Sequence, residues 1–131
     1  MNARILIVED EGLIALHIEE MLTHAGFEVP ELFPSGEDAI AYLAAAPPPD
    51  IILMDIGLAG PMNGIQAARH IREKADIPII FLTAYTDRHH LCEAAEVSPY
   101  GYLTKPFTAK DLVAALEAAL LRTGSPQGRG K

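Results

Sequence analysis

A single cysteine, Cys92, stands in 131 residues, so the chain forms no disulfide within itself and builds no metal site from several thiolates. That cysteine is expected to be a half-buried small hydrophobe. Basic residues are also scarce: 10 Lys and Arg against 18 Asp and Glu leave a net charge of −8 and a pI near 5.0. Nucleic-acid binding draws on basic side chains that displace counterions from phosphates, so no direct nucleic-acid partner is expected. Long hydrophobic runs are missing too. The apolar residues fall in short stretches cut by charges, glycine and proline, none near the length that spans a bilayer, and no membrane insertion is expected. The start, Met1-Asn2-Ala3-Arg4, lacks the charged, apolar and small-residue regions of a secretory signal. It leads straight into an apolar segment, the pattern of a natural N-terminus on a cytoplasmic protein.

What is present suits one domain over residues 1–122, with 123–131 as a flexible tail or linker. Apolar, β-rich runs at 5–8, 51–54, 77–82 and 100–103 read as strands, with a weaker one at 27–33. Helical spacing lies between them. The first helix carries Ile14, Ile18, Met21, Leu22 and Ala25 on one face and stops at Gly26. The second opens on Ser35-x-x-Asp38 and ends at Pro47-Pro48-Pro49. The third follows Asn63-Gly64 and turns Ile65, Ala68 and Ile71 inward. A fourth, over 87–96, has only Leu91, Ala94 and Ala95 as anchors and is expected to be the most mobile. The last starts at Thr108-x-x-Asp111 and steps through Leu112, Leu116 and Leu120. Strands alternating with helices imply a parallel sheet wound on both faces, an α/β doubly wound domain. Such sheets bind ligands outside the carboxyl ends of their strands.

Those ends carry Glu9 and Asp10, Asp55, Thr83, and then Lys105. An apolar strand that ends in a carboxylate often does no more than enter solvent. Three carboxylates on one edge differ, because they repel one another and hold on to protons unless a cation shares the site. Mg²⁺, a hard ion suited to carboxylate and carbonyl oxygens, answers that need, and Mn²⁺ is a substitute. Lys105 adds a fixed charge, and Pro106 keeps it extended. A metal and a lysine facing one carboxylate suit phosphoryl transfer, with Asp55 as the nucleophile.

The runs Ile5-Leu6-Ile7-Val8-Glu9-Asp10-Glu11, Ile52-Leu53-Met54-Asp55, Phe81-Leu82-Thr83-Ala84 and Gly101-Tyr102-Leu103-Thr104-Lys105-Pro106-Phe107 resemble those of the response-regulator receiver family. The resemblance covers about residues 4–122. It implies a CheY-like, flavodoxin-like sheet of five strands in the order 2-1-3-4-5 with five helices, and a cis peptide at Lys105-Pro106. By the same resemblance Asp10, Asp55 and the Gly57 carbonyl would hold Mg²⁺, and Glu9 would act through metal-bound water. Lys105 and Thr83 would take phosphoryl oxygens, and Tyr102 would be the switch aromatic reporting to the face of the fourth helix, fifth strand and fifth helix. The partners implied are a sensor histidine kinase or histidine phosphotransfer protein, a downstream protein target, and a second copy of the chain through that face. Glycine at 57 withholds the second carboxylate that an aspartyl-phosphate phosphatase needs, so any dephosphorylation should be slow. The acidic Glu9-Asp10-Glu11 opposes the Gly-rich phosphate loop of a flavin or nucleotide binder. The five histidines are expected at the surface.

Overall fold

The computed structural model describes residues 2–123. Its elements run β1 (Ile5–Val8), α1 (Gly12–His24), β2 (Leu32–Phe33), α2 (Gly36–Ala45), β3 (Ile51–Asp55), α3 (Gly64–Lys74), β4 (Ile79–Thr83), a 3-10 helix (Tyr85–His90), α4 (Leu91–Ala95), β5 (Gly101–Thr104) and α5 (Ala109–Thr123). All strand pairs are parallel, in the order β2-β1-β3-β4-β5, as expected.

Alternation along the buried strands divides the core in two. Leu6, Val8, Ile52, Met54, Ile79 and Phe81 point toward α2, α3 and α4. Ile5, Ile7, Ile51, Leu53, Ile80 and Leu82 point toward α1 and α5. Strands covered on both faces read as unbroken apolar runs, which is why β1, β3 and β4 are so legible. The helix signals have physical counterparts. Ser35 Oγ accepts from Asp38 N–H at 3.1 Å, Asn63 and Gln66 cap reciprocally at 2.9 Å, and Thr108 Oγ1 accepts from Asp111 N–H at 3.0 Å. Gly26, at φ 94°, takes the left-handed conformation that ends α1.

The edges depart from expectation. The second strand keeps only Leu32 and Phe33, because the flanking Pro30 and Pro34 have no N–H for a ladder, and a lone bridge of Arg4 with Glu28 precedes it. β4 begins two residues later than the apolar run, after Pro78. The expected helix over 87–96 is a 3-10 helix followed by five residues of α4. Cys92 is exposed rather than half-buried, since the short α4 directs Ala94 inward and leaves Cys92 outside. Of the histidines, His17, His24 and His89 are exposed, while His70 and His90 are partly covered. α5 takes in Thr123, and the rest of the expected tail lies outside the described residues. No helix among those residues is long and apolar enough to cross a membrane.

Candidate functional site

Strand register assembles the acidic edge. Val8 pairs with Met54, so the residues that follow, Glu9 and Asp55, leave the sheet side by side. Both are nearly covered, at 2% and 4% exposure, while Asp10 is partly open. One oxygen from each of the three carboxylates lies within 4.8 Å of the others. Asp10 Oδ2 is fixed by Ala59 N–H at 2.9 Å and Asp55 Oδ1 by Gly57 N–H at 3.1 Å. The loop closes tightly behind Asp55. A Cβ on Gly64 would collide with the Asp55 carbonyl oxygen, which is why Asn63 caps a helix that starts on glycine.

Lys105 arrives from the other side. β5 pairs with β4 to its end, Thr83 against Thr104, and Lys105 N–H then donates to the Thr83 carbonyl at 2.8 Å. The peptide that follows, Lys105-Pro106, is cis. Nζ sits 2.9 Å from Glu9 Oε1 and 3.4 Å from Asp55 Oδ1. Resting Lys105 therefore lies closer to Glu9 than to the aspartate with which the resemblance pairs it.

One ammonium does not neutralise this edge. Burial, reinforced by the charge of Asp55, pushes the Glu9 carboxyl up to about 7 against the opposing hydrogen bond from Lys105. Burial works to lower the Lys105 pKa, but the Glu9 hydrogen bond and the two carboxylate charges outweigh it and raise it. Three crowded carboxylate oxygens with residual negative charge form a donor set for a hard divalent cation. The residues present fit such an ion.

Glu9, Asp10, Glu11, Asp55, Gly57, Ala84, Thr86, Asp87 and Lys105 line a cleft of about 250 Å³. Thr83 does not line it. It is buried at the last position of β4, on the Phe81 face of the sheet. Tyr102 lies on β5, 41% exposed, its ring 6.1 Å from that of Phe81. Thr86 and Asp87 are cleft residues that sequence reasoning missed. The signal was Ala84-x-x-Asp87, a carboxylate three residues past an extended residue, which caps a helical start. Asp87 Oδ2 does accept from Ala84 N–H at 2.8 Å.

Comparison with known proteins agrees with this arrangement. The family model of the response regulator receiver domain matches residues 5–117. The chain is 38% identical over 119 residues to the transcriptional regulatory protein PdtaR of Mycobacterium tuberculosis, covering 91% of this chain and 57% of that one. It is 41% identical over 123 residues to the phosphate regulon transcriptional regulatory protein PhoB of Pseudomonas aeruginosa, covering 92% and 52%. The chain thus spans about half the length of the curated relatives it matches. The N-terminal domain of a response regulator/sensory box/GGDEF protein from Carboxydothermus hydrogenoformans superposes with a TM-score of 0.86 at 36% identity, covering 92% and 96%. The chemotaxis response regulator CheY4 of Vibrio cholerae gives 0.82 at 29%, covering 92% and 100%. The five-stranded fold, the acidic edge facing a lysine and the match over nearly the whole chain place this protein in the response regulator receiver domain family.

Proposed function

We propose that the chain accepts a phosphoryl group on Asp55 from a sensor histidine kinase or a histidine phosphotransfer protein. The observation that carries this reading is the buried Asp55 carboxylate at the end of β3, with Lys105 Nζ at 3.4 Å and the Glu9 and Asp10 carboxylates beside it. Gly57 N–H and Lys105 both engage Oδ1, so Oδ2 is the attacking oxygen. It bonds to phosphorus as the P–N bond of the donor phosphohistidine breaks, and the bonding pair leaves on the imidazole nitrogen. Asp10, Asp55 and the Gly57 carbonyl would hold Mg²⁺ or Mn²⁺, with Glu9 reaching it through water, and the ion would neutralise charge on the transferring group. Lys105 turns from Asp55 toward a phosphoryl oxygen, and the Thr83 hydroxyl comes forward from its buried position to another.

Gly57 has no side chain to activate water, so hydrolysis of the acyl phosphate is slow and the product persists as a signal rather than turning over. Tyr102 rotates inward behind Thr83, and the face of α4, β5 and α5 changes as a shift between two arrangements. That face meets a downstream protein target or a second copy of the chain. The curated relatives are named as transcriptional and DNA-binding regulators. The expectation of no nucleic-acid partner therefore rests on the acidic composition of this segment alone.

Incubation with acetyl phosphate and Mg²⁺, read by intact mass, tests the proposal. Phosphorylation should need both Asp55 and the metal. Equal modification of Asp55→Asn, or none of the folded wild type, overturns it.

A further inference from the structure

We infer that Asp87 is a latch on the phosphoryl pocket: its carboxylate holds the Ala84 N–H in the resting protein and is displaced when Asp55 carries the phosphoryl group. This rests on the reading of Asp55 as the acceptor. After β4 the chain bends so that Asp87 clasps Ala84 twice. Its Oδ2 accepts from Ala84 N–H at 2.8 Å, and its own N–H donates to the Ala84 carbonyl at 2.9 Å. The same side chain lines the cleft that holds Asp55 and Lys105. The two carboxylates flank one point, since a Cβ on Gly57 would lie 3.4 Å from Asp87 Oδ1 and 3.9 Å from Asp55 Oδ1.

A phosphoryl group on Asp55 brings into this cleft a charge of about −1.5 to −2 and three acceptor oxygens. The donors lining it are limited. Gly57 N–H is engaged by Asp55 Oδ1, and Lys105 is shared between Glu9 and Asp55. The amide of Ala84 is held by a carboxylate that both competes for the hydrogen bond and repels the incoming charge. Departure of Asp87 relieves both effects. It also undoes the side-chain half of the clasp that starts the 3-10 helix Tyr85–His90, a helix with no buried residue to hold it in place. Phosphorylation is thereby coupled to the α4 side of the domain by a route separate from Tyr102. The coupling is reciprocal: whatever weakens the grip of Asp87 on Ala84 strengthens binding of the phosphoryl group.

Beryllofluoride with Mg²⁺ is a suitable probe because it mimics the phosphoryl group and is not hydrolysed, so a role of Asp87 in activating water would not register. Titration by calorimetry of wild type, Asp87→Asn and Asp87→Ala should show both variants binding at least about fivefold tighter, the low end of ordinary coupling between sites. The gain should shrink as salt screens the repulsion. A merely structural cap predicts the opposite, a lower melting temperature with weaker binding. Equal or weaker binding by both variants, while the wild type binds, overturns the latch and leaves the acceptor site standing. Absence of wild-type binding overturns the acceptor reading itself. If the variants do not fold, a crystal structure of the wild type with beryllofluoride decides: Asp87 Oδ2 withdrawn from Ala84 N–H supports the latch, and an intact bond overturns it.

Discussion

Two segments of equal length follow the strands that end at the acidic cleft, one after β3 and one after β4, and are built in opposite ways. α3, 11 residues from Gly64 to Lys74, is capped reciprocally by Asn63 and Gln66 and buries Ile65, Ala67, Ala68 and Ile71. The segment from Tyr85 to Ala95 is a 3-10 helix of 6 residues followed by an α4 of 5, and it buries Ala94 alone. α3 starts against the Asp55 carbonyl behind the cleft; the other supplies Thr86 and Asp87 to the cleft lining and is fastened at its start by Asp87. Low local stability follows from few buried apolar contacts, and elements that move are drawn from that end of the range. The nucleophile thus has a firmly anchored helix behind it and a weakly anchored segment beside it that is able to respond.

The contrast breaks first at the core. Ile71→Ala should destabilise the protein by about 2–5 kcal/mol in urea denaturation. Leu91→Ala, at a half-buried position of α4, should cost well under half as much. Similar losses at the two positions would show that α4 is as well anchored as α3 and would remove the distinction.

The next effect is one of charge. The Glu9 carboxyl sits at about 7 in the folded protein against an ordinary 4.5. Between those values the folded chain binds more protons than the unfolded one. The contribution of Glu9 to the stability of the metal-free protein should therefore be full below about 4.5, fall as pH rises toward about 7, and level off above it. The raised pKa of Lys105 acts only where lysine titrates, above 10.5. Glu9→Gln should flatten the slope, and urea melts across this range would show it. An unchanged slope would mean that some other group carries the proton.

Much of this molecule was readable in its sequence, and the parts that were not share a cause. β1, β3 and β4 are covered on both faces, so their apolar runs and the acids ending them stand out. Glu9, Asp10, Asp55 and Lys105 were found by position because strand register, which brings them together, follows from those runs. Edge elements obey local backbone chemistry instead. Pro30 and Pro34 trimmed β2, and a polar stretch with no apolar period wound as a 3-10 helix rather than the first turns of α4. Reading 87–96 as one helix started it at Asp87, two residues late, and hid the cap by which Asp87 holds Ala84 beside the cleft. Thr83 ends β4 beside the cleft without lining it, because alternation turns its side chain to the Phe81 face, away from Asp55.

A smaller effect sharpens the comparison at the caps. Asn63→Ala should cost about 1 kcal/mol of global stability by loss of the cap. Asp87→Ala should cost less, because the helix that it starts buries nothing. A larger loss at Asp87 would show that the segment beside the cleft supports the fold as a whole.

The most direct test of the central claim is chemical. Protein treated with acetyl phosphate and Mg²⁺ is reduced with borohydride, which converts an acyl phosphate on aspartate to homoserine, and the digest is mapped by mass. Homoserine should form at position 55 and nowhere else. Homoserine at Asp10 or Asp87 with Asp55 unchanged, or no conversion in the folded protein, would contradict it.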